Sequence, residues 1–576
     1  MNEISHQNTK MKKILLSLAT AVTATFVASA QTVINPANFP GDVTQTGNII
    51  NIIDDITLSS GEYILDSTTF VNPGVTLTIN PGVVVRGQPA EDPLPPGSLV
   101  VSRGGFINAN GLQIAPIIFT TAADTNRGRW QLGDTFLDAD PINSPLPPVA
   151  DPGVGDIANV NLWGAVTLLG YAPTNRGTED TGVAGEAFVE GFGLTSEQVT
   201  YGGSLPNDSS GSLSYVSIRH SGRTIVEGDE QQGLTLGGVG AGTLLENIDI
   251  YCSGDDGIEI FGGTANLKNV IISYVNDDGF DLDQGWTGNV QFLFILASNI
   301  ADASGLVTSD ECGEWDGQDG VDDTTAAITT AITDFEAAVT ALDANPADPT
   351  AQANFTAAQL ALEALTEQDA LTTTGQPFMA PTIYNMTVFA EGAAGSLEID
   401  AAFGGNVYNS ILFGINRFDI EDETSANPIL EGFPSASPAD RLLAGSLNIN
   451  GVSFVGLSGT TAASISDTSF AEAVMTNNTA VALNSTSNTF STAANPFFFG
   501  LQTGGVFNTQ ETANGINPVP LTGVGNAVPT VGAFFDSAEF RGAFPPNGTA
   551  IIFTTGWSAL NVRGILVDAG NGANIL

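Results

Sequence analysis

Cysteine is almost missing from this 576-residue chain: only Cys252 and Cys312 occur. Two cysteines in so long a chain cannot build a disulfide scaffold, although an exported protein would have the redox setting for one bond between them. Positive charge is nearly as scarce. Beyond residue 30 there is one lysine, Lys268, and one histidine, His220. With Lys10, Lys12, Lys13 and Glu3 set aside in a leader segment, 12 basic residues face 61 acidic ones, a formal charge near −49. Such a field repels nucleic acid and anionic membranes, which argues against both as partners. It suits a saline medium, or a protein that holds cations. There is no Gly-rich phosphate loop, no zinc-ligand cluster and no Ser/His/Asp order.

The leader itself is present. Lys12 and Lys13 precede an apolar run from Ile14 to Val27, and Ala28-Ser29-Ala30 offers an A-x-A cleavage site before Gln31. Residues 1–30 therefore read as a signal peptide, with Met11 as the natural start and Met1 to Lys10 as an upstream extension. The run is too short to span a bilayer, and no later stretch of about 18 apolar residues follows. A chain cleaved after Ala30 is expected outside the cell or on its outer surface. Gln31 after the site, where a lipoprotein would carry cysteine, points away from a lipid anchor.

What the chain has in abundance is glycine, 66 residues of it, with much Asn, Thr and Val. Between Gly211 and Leu296 one strand pattern recurs: Leu213-x-x-Val216-x-Ile218, Leu245-x-x-Ile248-x-Ile250, Leu267-x-x-Val270-x-Ile272 and Val290-x-x-Leu293-x-Ile295, in steps of 32, 22 and 23 residues. A second pattern is interleaved with it: Gly233-Leu234-Thr235-Leu236, Gly257-Ile258-Glu259-Ile260 and Gly279-Phe280-Asp281-Leu282, in steps of 24 and 22. Two strand patterns keeping one period predict coils of short strands stacked about 4.8 Å apart, each interior Ile or Leu resting on its counterpart. A propeller, with repeats of roughly 40–45 residues, fits badly. The predicted fold is all-β, a right-handed parallel β-helix whose corners turn at Gly-rich or Asp/Asn-rich positions needing positive φ.

The organisation follows from the pattern. Coils are expected over 31–322, beginning visibly at Val75 to Gly82, and again over 373–425, where Ile383-x-x-Met386-x-Val388 is followed 24 residues on by Val407-x-x-Ser410-x-Leu412. Between them, 323–372 has helical spacing. Ile328, Ile332, Phe335, Val339 and Leu342 form one run, Phe355, Ala358, Leu362 and Leu365 another, with Asn345-Pro346 between. This reads as an inserted helical hairpin, either a docking arm or a tolerated loop. Residues 426–576 read as irregular coil and cap, with Phe497 to Phe499 and Phe534-Phe535 covering the open end of the stack.

Val75-Thr76-Leu77-Thr78-Ile79-Asn80-Pro81-Gly82, Leu162-Trp163-Gly164-Ala165-Val166, Asp255-Asp256-Gly257, Asp277-Asp278-Gly279-Phe280-Asp281 and Phe540-Arg541-Gly542-Ala543-Phe544 together resemble a family of uncharacterised exported bacterial β-helix proteins, of the kind common in Bacteroidetes. The resemblance covers most of residues 40–560 and implies a fold and an address without an activity. Many members carry a C-terminal sorting domain for type IX secretion, and this chain ends at Asn574-Ile575-Leu576 without an obvious one.

Acidic residues hold the candidate chemistry. Asp255 and Asp256 precede one strand, Asp277 and Asp278 the next, and on the outward face Glu259 should stack over Asp281, with Asp283 two residues further on. Carboxylates one coil apart repel unless water, a cation or a raised pKa relieves them. Converging carboxylate oxygens are what Ca²⁺ requires, so Asp255, Asp256, Glu259, Asp277, Asp278, Asp281 and Asp283 are the candidate ligands; a solvated acidic face is the plainer alternative. A second cluster, Asp310, Glu311, Glu314, Asp316, Asp319, Asp322 and Asp323, reads as a loop cation site or a charged linker, since its spacing fails the EF-hand pattern.

Parallel β-helices often degrade acidic polysaccharides, and paired carboxylates can flank a glycosidic bond. Asp255, Asp256 and Asp278 are weak catalytic candidates on that ground, but the Gly-His-Gly and Arg-x-Lys elements of polygalacturonase-like hydrolases are missing. A pectate-lyase-like enzyme would add an Arg or Lys base to calcium, from Arg219, Arg223 or Lys268. His220 is a weak general-base candidate and more ordinarily a structural hydrogen-bonder. Trp130, Trp163, Trp286, Trp315 and Trp557 are either sugar platforms or packed turns. The expectation is a binding or structural module, cation-stabilised, with polysaccharide or a cell-surface component as partner. A calcium-dependent lyase or glycoside hydrolase is the alternative, and an adhesin or matrix component a third.

Overall fold

The computed structural model describes residues 31–89, 95–124, 160–178, 180–226, 229–298, 311–317, 348–355, 377–391, 395–400, 403–415, 445–455, 488–491, 532–545 and 557–562, with a few isolated positions between. Among these, strands dominate and stack in two parallel sheets. One has ten strands and the other seventeen. The chain alternates between them. Leu234–Gly237, Ile258–Phe261 and Phe280–Asp283 belong to the ten-stranded sheet. Leu244–Tyr251, Asn266–Ser273 and Asn289–Ser298 belong to the other. This is a parallel β-helix.

The predicted column is real. Ile218 aligns with Ile250, Ile250 with Ile272, Ile272 with Ile295, and Ile295 with Val388, so one aliphatic side chain stands on another from coil to coil. Leu236, Ile260, Leu282 and Trp315 make the facing column from the ten-stranded sheet. All are buried and share one continuous apolar cluster. Each such side chain removed from water contributes about 1.5–3 kcal/mol, so the stack is held mainly by this interior.

Positive φ does mark Gly corners, at Gly222, Gly238, Gly262 and Gly285 among others. Gly233, Gly257 and Gly279 serve differently. They need room: a Cβ on Gly257 would lie 2.3 Å from Ile272 Cγ2 and 2.5 Å from the Gly279 carbonyl oxygen. Positive φ also falls at Tyr215, Asn247, Asn269, Phe292 and Asn385, the residue just before the second apolar position of each long strand. The seventeen-stranded sheet folds there into two arms. Asn tolerates this backbone better than most residues, and Asn269 Nδ2 donates to Asn247 Oδ1 at 3.2 Å across successive coils.

The stack starts at residue 31, as expected, and runs later than the periodicity suggested. Gln31–Val33 already pairs in parallel with Glu62–Leu65, and an antiparallel hairpin of Val43–Thr46 on Ile49–Ile52 opens the ten-stranded sheet. Beyond residue 425, Leu447–Asn450, Ser453–Val455 and Thr489–Ser491 continue the larger sheet. Phe534 and Phe535 do not cap the open end. Residues 532–545 and 557–562 lie along the outside of the larger sheet, where Lys268 Nζ donates to the Phe534 carbonyl at 2.8 Å and Phe535 packs on Tyr384. Phe497 to Phe499 lie outside the described residues, as does most of 323–372, in which the backbone is helical at 349–355.

Candidate cation-binding site

The alternation that sends Ile258 and Ile260 inward sends Glu259 outward, and the same holds for Asp281 between Phe280 and Leu282. Parallel register then aligns Glu259 with Asp281 and Phe261 with Asp283. At the corner before these strands, the Asp278 amide donates to Asp256 Oδ1 at 2.9 Å, which turns Asp256 toward the same row. The outcome is a compact group. Carboxylate oxygens of Asp256, Glu259 and Asp281 all lie within 4.8 Å of one another.

Only part of the face is the solvated surface that simple alternation suggests. Asp255, Asp256, Glu259 and Asp278 are buried, Asp281 and Asp283 half-buried, and Asp277 is exposed. An insertion between coils forms one wall. Its strands Glu186–Phe188 and Thr200–Gly202 pair antiparallel, Tyr201 stacks on Phe261 at 5.7 Å, and the Tyr201 hydroxyl donates to Gln284 Oε1 at 2.8 Å. The insertion brings Glu190 to the row, where Gln232 Nε2 donates to its Oε1 at 2.7 Å. A hairpin of Arg223–Val226 and Asp229–Gln231 forms a second wall and contributes Glu230.

Burial and mutual repulsion raise the proton affinity of five members. Burial and then the charges of Asp277, Glu230 and Glu190 push the Asp255 carboxyl up to about 8. Asp256, Glu259, Asp278 and Asp281 are pushed well above the ordinary carboxylate range, first by burial and then by neighbouring carboxylates. The side-chain charges acting on these four are carboxylates in every case. Despite this, Glu259 Oε2 and Asp278 Oδ1 are buried without a hydrogen-bond partner. An all-oxygen, negatively charged cage with an unsatisfied buried oxygen fits a hard divalent cation such as Ca²⁺, with water completing the shell. It offers no nitrogen or sulfur ligand for zinc.

The described part of the second acidic cluster, Glu311, Glu314 and Asp316, continues the first. Glu311–Asp316 is a strand of the same sheet, with Trp315 aligned on Leu282. Ser396–Asp400 follows, aligning Glu314 with Glu398 and Asp316 with Asp400. Glu311 accepts from Ser396 Oγ at 2.5 Å, and burial together with Glu398 holds its carboxyl up at about 8. Asp310, Asp319, Asp322 and Asp323 lie outside the described residues.

Other expected site residues sit elsewhere. Arg219 is fully buried outside the larger sheet, where its Nε donates to Ser217 Oγ at 2.7 Å beside Asp249. It is not a base at the acidic row. His220 is 3 % exposed and packs edge-on against Tyr251. Lys268 points out of the larger sheet to Asp536. Arg223 stands on the hairpin wall, 3.4 Å from Asn161 Oδ1. Cys252 and Cys312 do not bond to each other: Cys252 belongs to an apolar cluster outside the larger sheet, Cys312 to the interior column. Trp163, Trp286, Trp315 and Trp557 are buried, each with its indole N–H on a backbone carbonyl, so none offers a sugar platform. Trp130 lies outside the described residues.

Among the described residues no helix is long and apolar enough to cross a membrane. Searches of curated proteins and of solved structures return no match. A family profile does match, that of the pectate-lyase-like β-helix domain, over residues 50–161 and 154–341. Those spans cover the coils that carry Asp255 to Asp316 and just over half of the 576 residues. Fold, coil register and profile agree, and the chain belongs to the pectate-lyase-like β-helix domain family.

Proposed function

We propose that this chain is an exported or cell-surface β-helix that binds a divalent cation, Ca²⁺ first, on the outer face of its ten-stranded sheet, and serves as a binding or structural module with carbohydrate as its ligand class. The observation that carries the reading is the triad of Asp256, Glu259 and Asp281, with oxygens within 4.8 Å and Glu259 Oε2 buried without a partner. A bound cation would neutralise charges that otherwise repel in a poorly solvated place. It would also leave coordination positions for hydroxyl or carboxylate oxygens of a glycan. Membership of a pectate-lyase-like family supports the carbohydrate class.

Calcium titration followed by thermal melting tests this. The melting temperature should climb with calcium and saturate, and an unmoved melting temperature at millimolar calcium would remove the cation.

The family match also favours a second reading, a calcium-dependent polysaccharide lyase or glycoside hydrolase working on the same face. Elimination needs a base near the bound sugar; Arg219 is paired with Asp249 and Lys268 with Asp536 on the larger sheet, which leaves Arg223, on the hairpin wall, as the candidate beside the row. Incubation with a panel of acidic polysaccharides separates the readings. Unsaturated products would establish the lyase; binding without products would establish the module.

A further inference from the structure

The outer surface of the larger sheet carries a different pattern from the acidic face. Parallel register aligns Asn266, Asn289, Thr382, Asn406 and Asn448 on successive coils, and all of them are half-buried. They form a ladder of amides and one hydroxyl. Asn289 Nδ2 donates to Asn266 Oδ1 at 2.6 Å, Asn406 Nδ2 to Thr382 Oγ1 at 3.1 Å, and Asn448 Nδ2 to Asn406 Oδ1 at 3.1 Å. These bonds all run the same way along the stack, and among the described residues no side-chain bond joins Asn289 to Thr382. An amide brings two N–H groups and an acceptor oxygen, so the rungs keep hydrogen-bonding capacity for something outside. No member is charged, in a chain of formal charge −47.

A line of rings borders the ladder. The Tyr408 hydroxyl donates to Asn406 Oδ1 at 2.7 Å. Tyr408 then packs on Tyr384 at 5.1 Å, Tyr384 on Phe535 at 4.8 Å and Phe535 on Phe534 at 5.1 Å. Phe534, Phe535 and Tyr408 are half-buried, so part of each ring is open. The neighbouring cation, Lys268, is paired with Asp536 at 3.2 Å. Such a surface asks for hydroxyls that both donate and accept, and for an apolar C–H face to lie on the rings. A sugar chain presents both at every residue. An acidic one would be repelled by the field of the protein, and a neutral one would not. A peptide strand would add at a sheet edge through its backbone, whereas these are side chains on the face of strands already paired on both sides. Four inter-coil steps of about 4.8 Å give the ladder roughly 19 Å of length, which suits an oligosaccharide better than a single sugar.

We infer that the ladder from Asn266 to Asn448, with Phe534, Phe535 and Tyr408 beside it, is a second carbohydrate surface that binds a neutral, linear polysaccharide without a cation. It lies on the other sheet from the acidic row and stands independently of it. The acidic row needs an ion before any sugar oxygen can approach; the ladder needs none.

The test is titration calorimetry of the full chain with cellohexaose, xylohexaose and mannohexaose, in chelator and again in calcium. At least one should bind at millimolar concentration or below, with the same affinity in both buffers. Tyr408→Ala should weaken that binding about tenfold, and Asn289→Ala about three- to tenfold. Should the variants fail to fold, carbene footprinting of the wild type decides. The bound hexasaccharide should shield Tyr408 and Phe535 and leave 278–283 labelled as before. Four results would overturn the inference: no binding by any of the three sugars, binding that disappears in chelator, affinity unchanged in both variants, or shielding at the acidic row instead. Sedimentation that shows wild-type pairs separated by Tyr408→Ala would also overturn it, by assigning the face to a second copy of the chain.

Discussion

Glu259 and Asp281 stand one coil apart in exact parallel register, side by side on the outer face of the sheet, and the Oε2 of Glu259 is buried with nothing to accept from. Two acids so placed in a poorly solvated row repel one another unless a proton or a cation intervenes.

Glu259→Gln should therefore have opposite effects with and without calcium. In chelator, replacing a buried carboxylate by a neutral amide should raise stability, by about 1–3 kcal/mol if the unsatisfied charge is relieved. In calcium the wild type should overtake it, since an ion at a hundred times its Kd adds about 2.7 kcal/mol. Thermal melts of both proteins in both buffers check the crossing.

Without a cation, stability should fall as pH rises. Asp255 and Glu311 have folded values raised to about 8 from the usual carboxylate range. A raised acid keeps its proton in the folded state while the unfolded chain ionises, so no penalty exists below about pH 4; it accumulates above that and is complete near pH 8. Denaturant midpoints in chelator from pH 4 to 8 should decline steadily. Saturating calcium should flatten the decline.

Gly257→Ala should destabilise by about 1–3 kcal/mol through overpacking alone, because the new methyl meets Ile272 Cγ2 and the Gly279 carbonyl at 2.3 and 2.5 Å. Ala at Gly445, where nothing lies within 4 Å but φ is +82°, should show backbone strain and no packing penalty. Comparing urea midpoints separates the two causes.

Asp249→Ala should cost about 3–5 kcal/mol, because it removes the carboxylate whose charge acts most strongly on the buried Arg219 guanidinium. The same carboxylate accepts from Ser217 Oγ at 2.6 Å and from the Ala559 amide at 2.9 Å, 310 positions away. Limited proteolysis of the variant should therefore cut first near residues 557–562.

The coil was legible because a parallel stack repeats its interior side chains at a nearly fixed step, and Ile250, Ile272 and Ile295 kept that step within one residue. The pairing of Glu259 with Asp281 followed directly. What escaped was everything the period skips over. Glu190 reaches the row from an irregular insertion that carries no repeat. Glu314 and Asp316 looked like a linker because the segment leading to them breaks the step. A local signal did exist: Asp281-Leu282-Asp283, Glu314-Trp315-Asp316 and Glu398-Ile399-Asp400 share one acid–apolar–acid pattern, with Glu259-Ile260-Phe261 a partial copy. The bend at Asn247 and Asn269 was hidden because those residues are the unconstrained letters of the strand motif, and their backbone, not their side-chain polarity, is what matters.

Residues 532–545 and 557–562 lay Phe535 on Tyr384, Phe540 on Phe292, Phe544 on Phe294 and Trp557 on Tyr215. A chain broken off before residue 532 would leave those rings bare along one flank, a stripe of the kind that makes proteins aggregate. Keeping that flank covered is thus what these two segments are expected to contribute to the molecule's behaviour in solution.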